Sequence, residues 1–323
     1  MIEVEATERI EPREWEALVQ DCGGHPLHFP AAHEADFDPR DRMHLVFREG
    51  PEPVACALAY RERRRRLGRG KDVLILPTAP ALRPPATESR DPVYLRLLQF
   101  ARDANCRELV IQSPWGASLD FPPFGDHVID RVVEFVLDLE KGGEALLAGM
   151  HRVHRKNIRR AERDGVVVRA DATLEGLLAL RAMQGVSAER QAKRGSGFTV
   201  RDRAYFERIH QRVYAAGHGE LLLAYRGEHT APIAGLAYLI GAGRALTVRS
   251  GSTQEGYATY AMYLLQHEVI QRCLARGISE LNIGGVPQAA ERDDHPQHGL
   301  YEFKKGWGGT PLPRSSVRLE LRA

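Results

Sequence analysis

Two distant stretches of this chain are spelled alike. Residues 45–60 read LVFREGPEPVACALAY and residues 222–238 read LLAYRGEHTAPIAGLAY. Each is a short apolar run, a polar turn and a second apolar run closing on Leu-Ala-Tyr. Gly50, Pro51 and Pro53 punctuate the first turn, Gly227 and Pro232 the second. Such punctuation between apolar runs predicts antiparallel hairpins. The elements downstream of the two hairpins also match in order. Residues 73–77 read as a third strand, 91–105 as a helix with Pro92 near its start, and 108–112 as a strand. In the second half, residues 244–249 are a third strand, 259–276 a long helix stopped by Gly277, and 280–283 the next strand. A chain that repeats letters and element order together folds the same unit twice.

A hairpin, a third strand, a helix and another strand resemble the middle of the acyltransferase fold called GNAT. The expected class is therefore α/β (α+β): two tandem GNAT-like domains, with mixed central sheets flanked by helices. The boundary is expected near residues 140–149. There a strand at 132–139 meets Gly142-Gly143 and a basic helix runs from 144 to 163. This gives an N-terminal domain over 1–143 and a C-terminal domain over 144–323. Helices at 174–189 and 202–216 belong to the second.

Bulk composition fits this. At 323 residues, two cores are the ordinary expectation. Formal net charge is only +2, from 45 basic and 43 acidic residues, which does not mark a dedicated nucleic-acid binder. The four cysteines are scattered, with neither metal spacing nor a CxxC pair, as in a reduced cytoplasmic protein. The acidic N-terminus has no apolar signal core, and no stretch is long and apolar enough to span a membrane.

The chemistry-bearing residues cluster late. Residues 299–309 read GLYEFKKGWGG, placing Phe303, Lys304 and Lys305 among closely spaced glycines. Glycine permits close backbone approach and lysine supplies a cation, so this segment can grip an anionic or carbonyl-bearing substrate. A helix end with a glycine stop and two solvated lysines is the plainer reading. On the basic helix, Arg152, Arg155, Lys156, Arg159, Arg160 and Arg163 recur three or four apart, and several share a face that can meet phosphates or simply face water. The run RERRRRLGRGK at 61–71 sits between two expected strands. Its Arg65–Gly70 segment mimics the Arg-x-x-Gly-x-Gly loop of CoA-dependent enzymes. A strand comes after it rather than a helix N-terminus, so it is set aside. The loop before the long helix, residues 251–257, is small and polar and includes Ser252 and Tyr257, without that arginine. Arg190 ends a helix and can cap carbonyls or clamp a phosphate. His295, His298, Asp293 and Asp294 read as a polar loop, and no metal is expected.

These residues resemble the Fem family of aminoacyl-tRNA-dependent peptidyltransferases. The family's basic-helix pattern is approximated by residues 155–166, its strand ending in Gly-Gly by 281–285, and its terminal Gly-Leu-Tyr-x-Phe-Lys pattern by 299–309. The resemblance implies a two-domain GNAT-like fold. It implies that a substrate amine attacks the ester joining an amino acid to the tRNA 3′ end, so that aminoacyl-tRNA is the co-substrate and no cofactor is tightly bound. Lys304, with Lys305 as fallback, would stabilise developing charge or hold the terminal phosphate. Phe303, Tyr257 and Ser252 would line the cleft, Arg190 would hold a phosphate of a nucleotide-linked acceptor, and Arg152, Arg155, Lys156 and Arg159 would face tRNA. The chain departs from the family at Asn282, where aspartate is frequent, and at residues 28–33, which lack the Phe-x-Gln-Ser of the precursor-binding region. The long helical arm of some members is missing. The acceptor is then a peptidoglycan precursor or a small peptide or antibiotic intermediate. An acyl-CoA-dependent N-acyltransferase and a non-catalytic RNA- or protein-binding module are the competing readings.

Overall fold

The computed structural model describes residues 1–66, 69–84, 90–112, 115, 119, 124–227 and 230–321. Contacts divide the chain into one unit of residues 1–132 with 313–323 and a second of residues 133–312.

The elements in chain order begin with β1 (Ile2–Thr7), α1 (Pro12–Asp21), β2 (Arg42–Glu49), β3 (Glu52–Arg66), β4 (Arg69–Leu76), β5 (Ala81–Leu82), α2 (Arg90–Asp103) and β6 (Glu108–Gln112). Then come β7 (Val128–Asp138), α3 (Gly142–Gly149), α4 (Arg152–Arg163), β8 (Val166–Ala170), α5 (Leu174–Ala192) and α6 (Arg203–Ile209). The last are β9 (Gly219–Arg226), β10 (Ala234–Gly241), β11 (Arg244–Ser252), α7 (Gln254–Ala258), α8 (Ala261–Ala275), β12 (Glu280–Pro287), α9 (His298–Lys305) and β13 (Thr310–Glu320).

Both expected hairpins form. In the first unit Glu49 pairs with Glu52, and Gly50 turns the chain at φ +59°. Its strands run in the order β1-β2-β3-β4-β6-β13, with β5 beside β3. Neighbours are antiparallel except β4 and β6, which are parallel and joined through α2. The second unit repeats the plan as β8-β9-β10-β11, with β11 parallel to β12 across α8 and β7 beyond β12. A parallel pair needs such a crossover, which is why each half places a long apolar helix there.

The repeat extends to single residues. Strand β6 reads Glu108-Leu109-Val110-Ile111 and β12 reads Glu280-Leu281-Asn282-Ile283. Glu108 opens the parallel register with Val73, and Glu280 opens it with Arg244. Each half is completed by a strand remote in sequence, β13 beside β6 and β7 beside β12. This explains why the division lies at 132/133 and returns residues 313–323 to the first unit, rather than falling once at 143/144.

Three helices differ from expectation. The basic helix is two, since Met150 and His151 are extended between α3 and α4. The helix expected from 259 begins at Ala261 as α8, behind Tyr260 held left-handed at φ 58°, and the loop expected before it contains the short α7. The helix expected over 202–216 is α6 followed by a wider π turn at His210–Tyr214. The 61–71 run, expected between strands, instead continues β3 to Arg66 and opens β4 at Arg69. Leu67 and Gly68 of the mimic loop lie outside the described residues, as do Glu228 and His229 of the second hairpin turn. Among the described residues no helix is long and apolar enough to cross a membrane.

Candidate functional site

In the second unit β11 and β12 pair only over Arg244–Leu246 with Glu280–Asn282. Beyond that register stand a bulge in β11, which leaves Val248 without a partner across β10, and Gly284 in β12 at φ +77°. A left-handed residue without a Cβ is what this point requires. A methyl added to Gly284 would lie 3.0 Å from Lys304 Nζ and 3.5 Å from Thr247 O.

Lys304 occupies this place. It reaches back from the last turn of α9, and its ammonium donates to the carbonyl of Ile283. The residue is half-buried, with its ammonium inside. Loss of water lowers its pKa to about 8, a shift opposed by the carboxylate of Glu134. An ammonium carries three donors, and among the described residues its hydrogen bond is the one to Ile283. Donors therefore remain for a developing oxyanion or a phosphate.

Two buried polar residues frame the lysine. Asn282, 0% exposed, accepts from Gly284 N at 2.8 Å and donates to Glu134 at 2.9 Å. Glu134, 3% exposed, comes from β7. A carboxylate and an amide so deep are tolerated because they satisfy one another.

The glycines around Lys304 seat the helix against the protein itself. A Cβ on Gly306 would fall 2.2 Å from the His154 ring, and one on Gly308 2.7 Å from Gly149 O. His154 comes from the inner face of α4, where His154, Asn157, Ile158 and Ala161 follow the helical period. Its Nε2 donates to Phe303 O at 2.8 Å, and its ring lies 5.6 Å from Phe303 and 5.0 Å from Trp307. Burial lowers its pKa, so it stands as a neutral imidazole with Nδ1 unpartnered among the described residues. Phe303 is thus clamped between His154 and Tyr263, 5.0 Å away, and fixes the root of Lys304. Lys305 is exposed instead, 3.4 Å from Glu302 and over the Tyr301 ring. Neighbouring helix positions diverge by a third of a turn, so the two lysines cannot share one place.

A second group gathers at the far end of β11. The Arg190 guanidinium stacks 3.6 Å over the Tyr257 ring, and the Tyr257 hydroxyl lies 3.1 Å from Ser187 Oγ. Ser187 Oγ accepts from Ser252 N at 3.1 Å and faces Ser252 O. Arg190, Tyr257 and Ser252, drawn from α5, α7 and β11, form one network. Among the described residues Arg190 has no carboxylate partner, and its guanidinium is held in a planar, stacked pose on Tyr257. Thr247 and Ser252 are five residues apart on β11. The Lys304 and Arg190 groups are therefore separated by roughly 16 Å along the strand.

The basic helix divides its arginines. Arg152, Lys156, Arg159 and Arg163 are exposed on one face. Arg155 is turned back, donating to Leu147 O and Met150 O at the end of α3. Arg160 lies against Tyr260. Among the described residues no group of three or more His, Cys, Asp or Glu is gathered as a metal-ligand set. Glu134 and His154, which sequence reasoning does not single out, shape the lysine's surroundings. Their signals are a lone acid inside the apolar run of β7 and a histidine on the inner stripe of a basic helix.

Residues 222–311, which contain β10 through α9, match the FemAB family. FemX superposes with a TM-score of 0.72 at 14% identity, over 96% of this chain and 96% of that one. The chain has a tandem GNAT-like fold, and its residues 222–311 are similar to the FemAB family. A tandem GNAT protein from the clavulanic acid biosynthesis pathway aligns at TM-score 0.53 and 16% identity, over 99% of this chain and 98% of that one. The L-PGS of Bacillus licheniformis aligns at TM-score 0.54 and 16% identity, over 97% and 93%. At these identities the structures share the fold. A search of curated protein sequences finds no match. The Fem resemblance and the fold expected from the repeat are both borne out.

Proposed function

We propose that this protein is an aminoacyltransferase of the Fem type that moves an amino acid from aminoacyl-tRNA to an amine, forming an amide. Family and fold support acyl transfer in general. The observation that carries the finer reading is Lys304, a buried cation with unused donors where β11 and β12 cease to pair.

The acceptor nitrogen attacks the ester carbonyl. The carbonyl oxygen takes the negative charge, and the Lys304 ammonium stabilises it in a site with little water. Collapse breaks the bond to the ribose oxygen, which leaves with the proton lost by the nitrogen. The ester is already activated, so alignment and charge stabilisation supply most of the rate. Arg190, stacked on Tyr257, binds an anionic group of the acceptor. Its separation from Lys304 suits a phosphate placed beyond the reacting amine. The exposed face of Arg152, Lys156 and Arg159 meets tRNA phosphates, while Arg155 stays with α3. Peptidoglycan precursors and small peptides of antibiotic type both fit an anchored amine.

The test is transfer of label from a mixed pool of charged tRNAs into small molecules and peptides of a cell extract, with and without ribonuclease, beside labelled acetyl-CoA. Ribonuclease-sensitive labelling is expected. Labelling from acetyl-CoA alone would overturn the donor assignment and leave the fold standing.

A further inference from the structure

The second unit buries a carboxylate that takes no part in the transfer step. Glu134 lies on β7, the strand that completes this unit's sheet beside β12. Its neighbours in the strand are apolar. Phe135 and Leu137 fill the core on the opposite face of the strand, and Glu134 is itself only 3% exposed, so an acid here is costly unless it serves a charge nearby. It accepts a hydrogen bond from the amide of Asn282, which also holds Gly284 N. Gly284 is where Lys304 Nζ lies, since a methyl there would stand 3.0 Å from it. Glu134, Asn282, Gly284 and Lys304 thus form one continuous polar line.

We propose that Glu134 is the positioning residue for Lys304. Through Asn282 it fixes the backbone turn against which the ammonium rests, and its negative charge keeps that ammonium protonated in a site stripped of water. The role follows from the two buried groups together. A lysine drawn from water favours its neutral form, and an opposite charge within the same low-dielectric region restores the charged one. The pKa of Lys304 is lowered by burial, and Glu134 is the group that opposes the fall.

The other titratable groups near Lys304 do not substitute for it. His154, from α4, is neutral and directed at Phe303 O. Glu302 and Lys305, on α9 itself, are exposed and within 3.4 Å of each other. Glu291 faces the Tyr301 hydroxyl at 3.3 Å. The first unit supplies the contrast. Where β12 has Asn282, β6 has Val110, packed with Val73, Ile75 and Phe37. A copy of the strand without a lysine to serve carries no polar pair at that point.

The experiment is Glu134→Gln, which keeps the shape and an oxygen acceptor for Asn282 and removes only the charge. Lys304 is followed by NMR of isotopically labelled lysine side chains, its signal assigned with Lys304→Met, and titrated with pH in the full chain. The expected result is a Lys304 midpoint about one unit or more lower in the variant. The alkaline limb of the transfer rate should move down with it, with kcat affected above KM, and Glu134→Asp should restore part of the shift. A midpoint unchanged by Glu134→Gln would overturn the proposal. Should Glu134→Gln fail to fold, Asn282→Leu, which cuts the link from Glu134 to the turn under Lys304, carries the test, and an unchanged Lys304 midpoint there would overturn the proposal too. The transfer arm rests on the proposed aminoacyl transfer, whereas the titration does not. A shifted midpoint in a protein that moves no label from tRNA would refute that function and leave Glu134 in place.

Discussion

The two units are built to one plan and furnished differently. Both have the antiparallel hairpin, the third strand, the helical crossover and a parallel fourth strand beginning Glu-Leu. In the first unit, the residue after that pair is Val110, sealed under Phe37 with Val73 and Ile75. In the second it is Asn282, tied to Glu134 and to the turn that receives Lys304. The tyrosines closing the two Leu-Ala-Tyr stretches diverge as well. Tyr238 donates to Glu220 at 2.5 Å, whereas the Tyr60 hydroxyl is buried without a hydrogen-bond partner among the described residues, its ring stacked on Phe37. At these matched positions the first unit packs apolar groups and the second joins polar ones. At this strand position the shared plan carries an apolar cluster in the first unit and a polar network in the second.

The largest effect expected of any single change is on Lys304. Lys304→Met removes the charge and keeps much of the stem, so transfer should fall about 10²–10³-fold while thermal unfolding stays near wild type. Unchanged turnover, measured at saturating charged tRNA, would erase the distinction between the units. Converting one unit's residue to the other's is the next test. Asn282→Val leaves Glu134 and Gly284 N without their shared partner. It should cost about 1–3 kcal/mol in denaturant unfolding. Val110→Asn should cost a similar amount for the opposite reason, a polar group placed in an apolar cluster. If both swaps prove neutral, the two parallel pairs are interchangeable.

Gly306→Ala comes next in size, since the new methyl meets the His154 ring at 2.2 Å. A loss of about 1–3 kcal/mol is expected, relieved when His154 is made smaller. A smaller effect belongs to the exposed face of α4. Replacing Arg152, Lys156 and Arg159 together should flatten the salt dependence of tRNA binding, whereas Arg155→Gln should leave that slope alone and weaken the α3–α4 junction.

The pH dependence comes from Lys304. Its folded pKa, about 8, lies below the ordinary lysine value, so the unfolded chain binds more protons between the two. This group's contribution to stability therefore rises as pH climbs from about 8 through the ordinary range. Transfer that needs the ammonium falls over the same interval. Opposite slopes for stability and rate above pH 8, measured in parallel, would be the signature of a buried lysine held charged for use.

Much of the fold is legible in the sequence because periodicity and glycine stops act locally. The hairpins, both crossover helices and both parallel strands stand in the letters. The exchange of β7 and β13 is not legible, because strand pairing between remote segments leaves no local mark. Nor is the break between α3 and α4. Met150 and His151 carry no breaker signal of their own beyond the preceding Gly149, and His151 N donates instead to Gly306 O, far away in sequence. At the site, Lys304, Arg190, Tyr257 and Ser252 stand out by residue type and by resemblance to a family. What their letters cannot show is division of labour. Lys305 and Arg155 look equivalent to their neighbours until helix geometry turns one to solvent and the other to the carbonyls of α3. Glu134 is hidden by its strand, where one acid among apolar residues reads as a solvent-facing position.

The most direct measurement is single-turnover transfer from one charged tRNA, run with the wild type and with Lys304→Met, alongside tRNA affinity for each. A transfer step slowed about 10²–10³-fold at nearly unchanged tRNA affinity is the predicted result. Equal single-turnover rates, or a loss that lies wholly in tRNA binding, would contradict the placement of Lys304 at the reacting carbonyl.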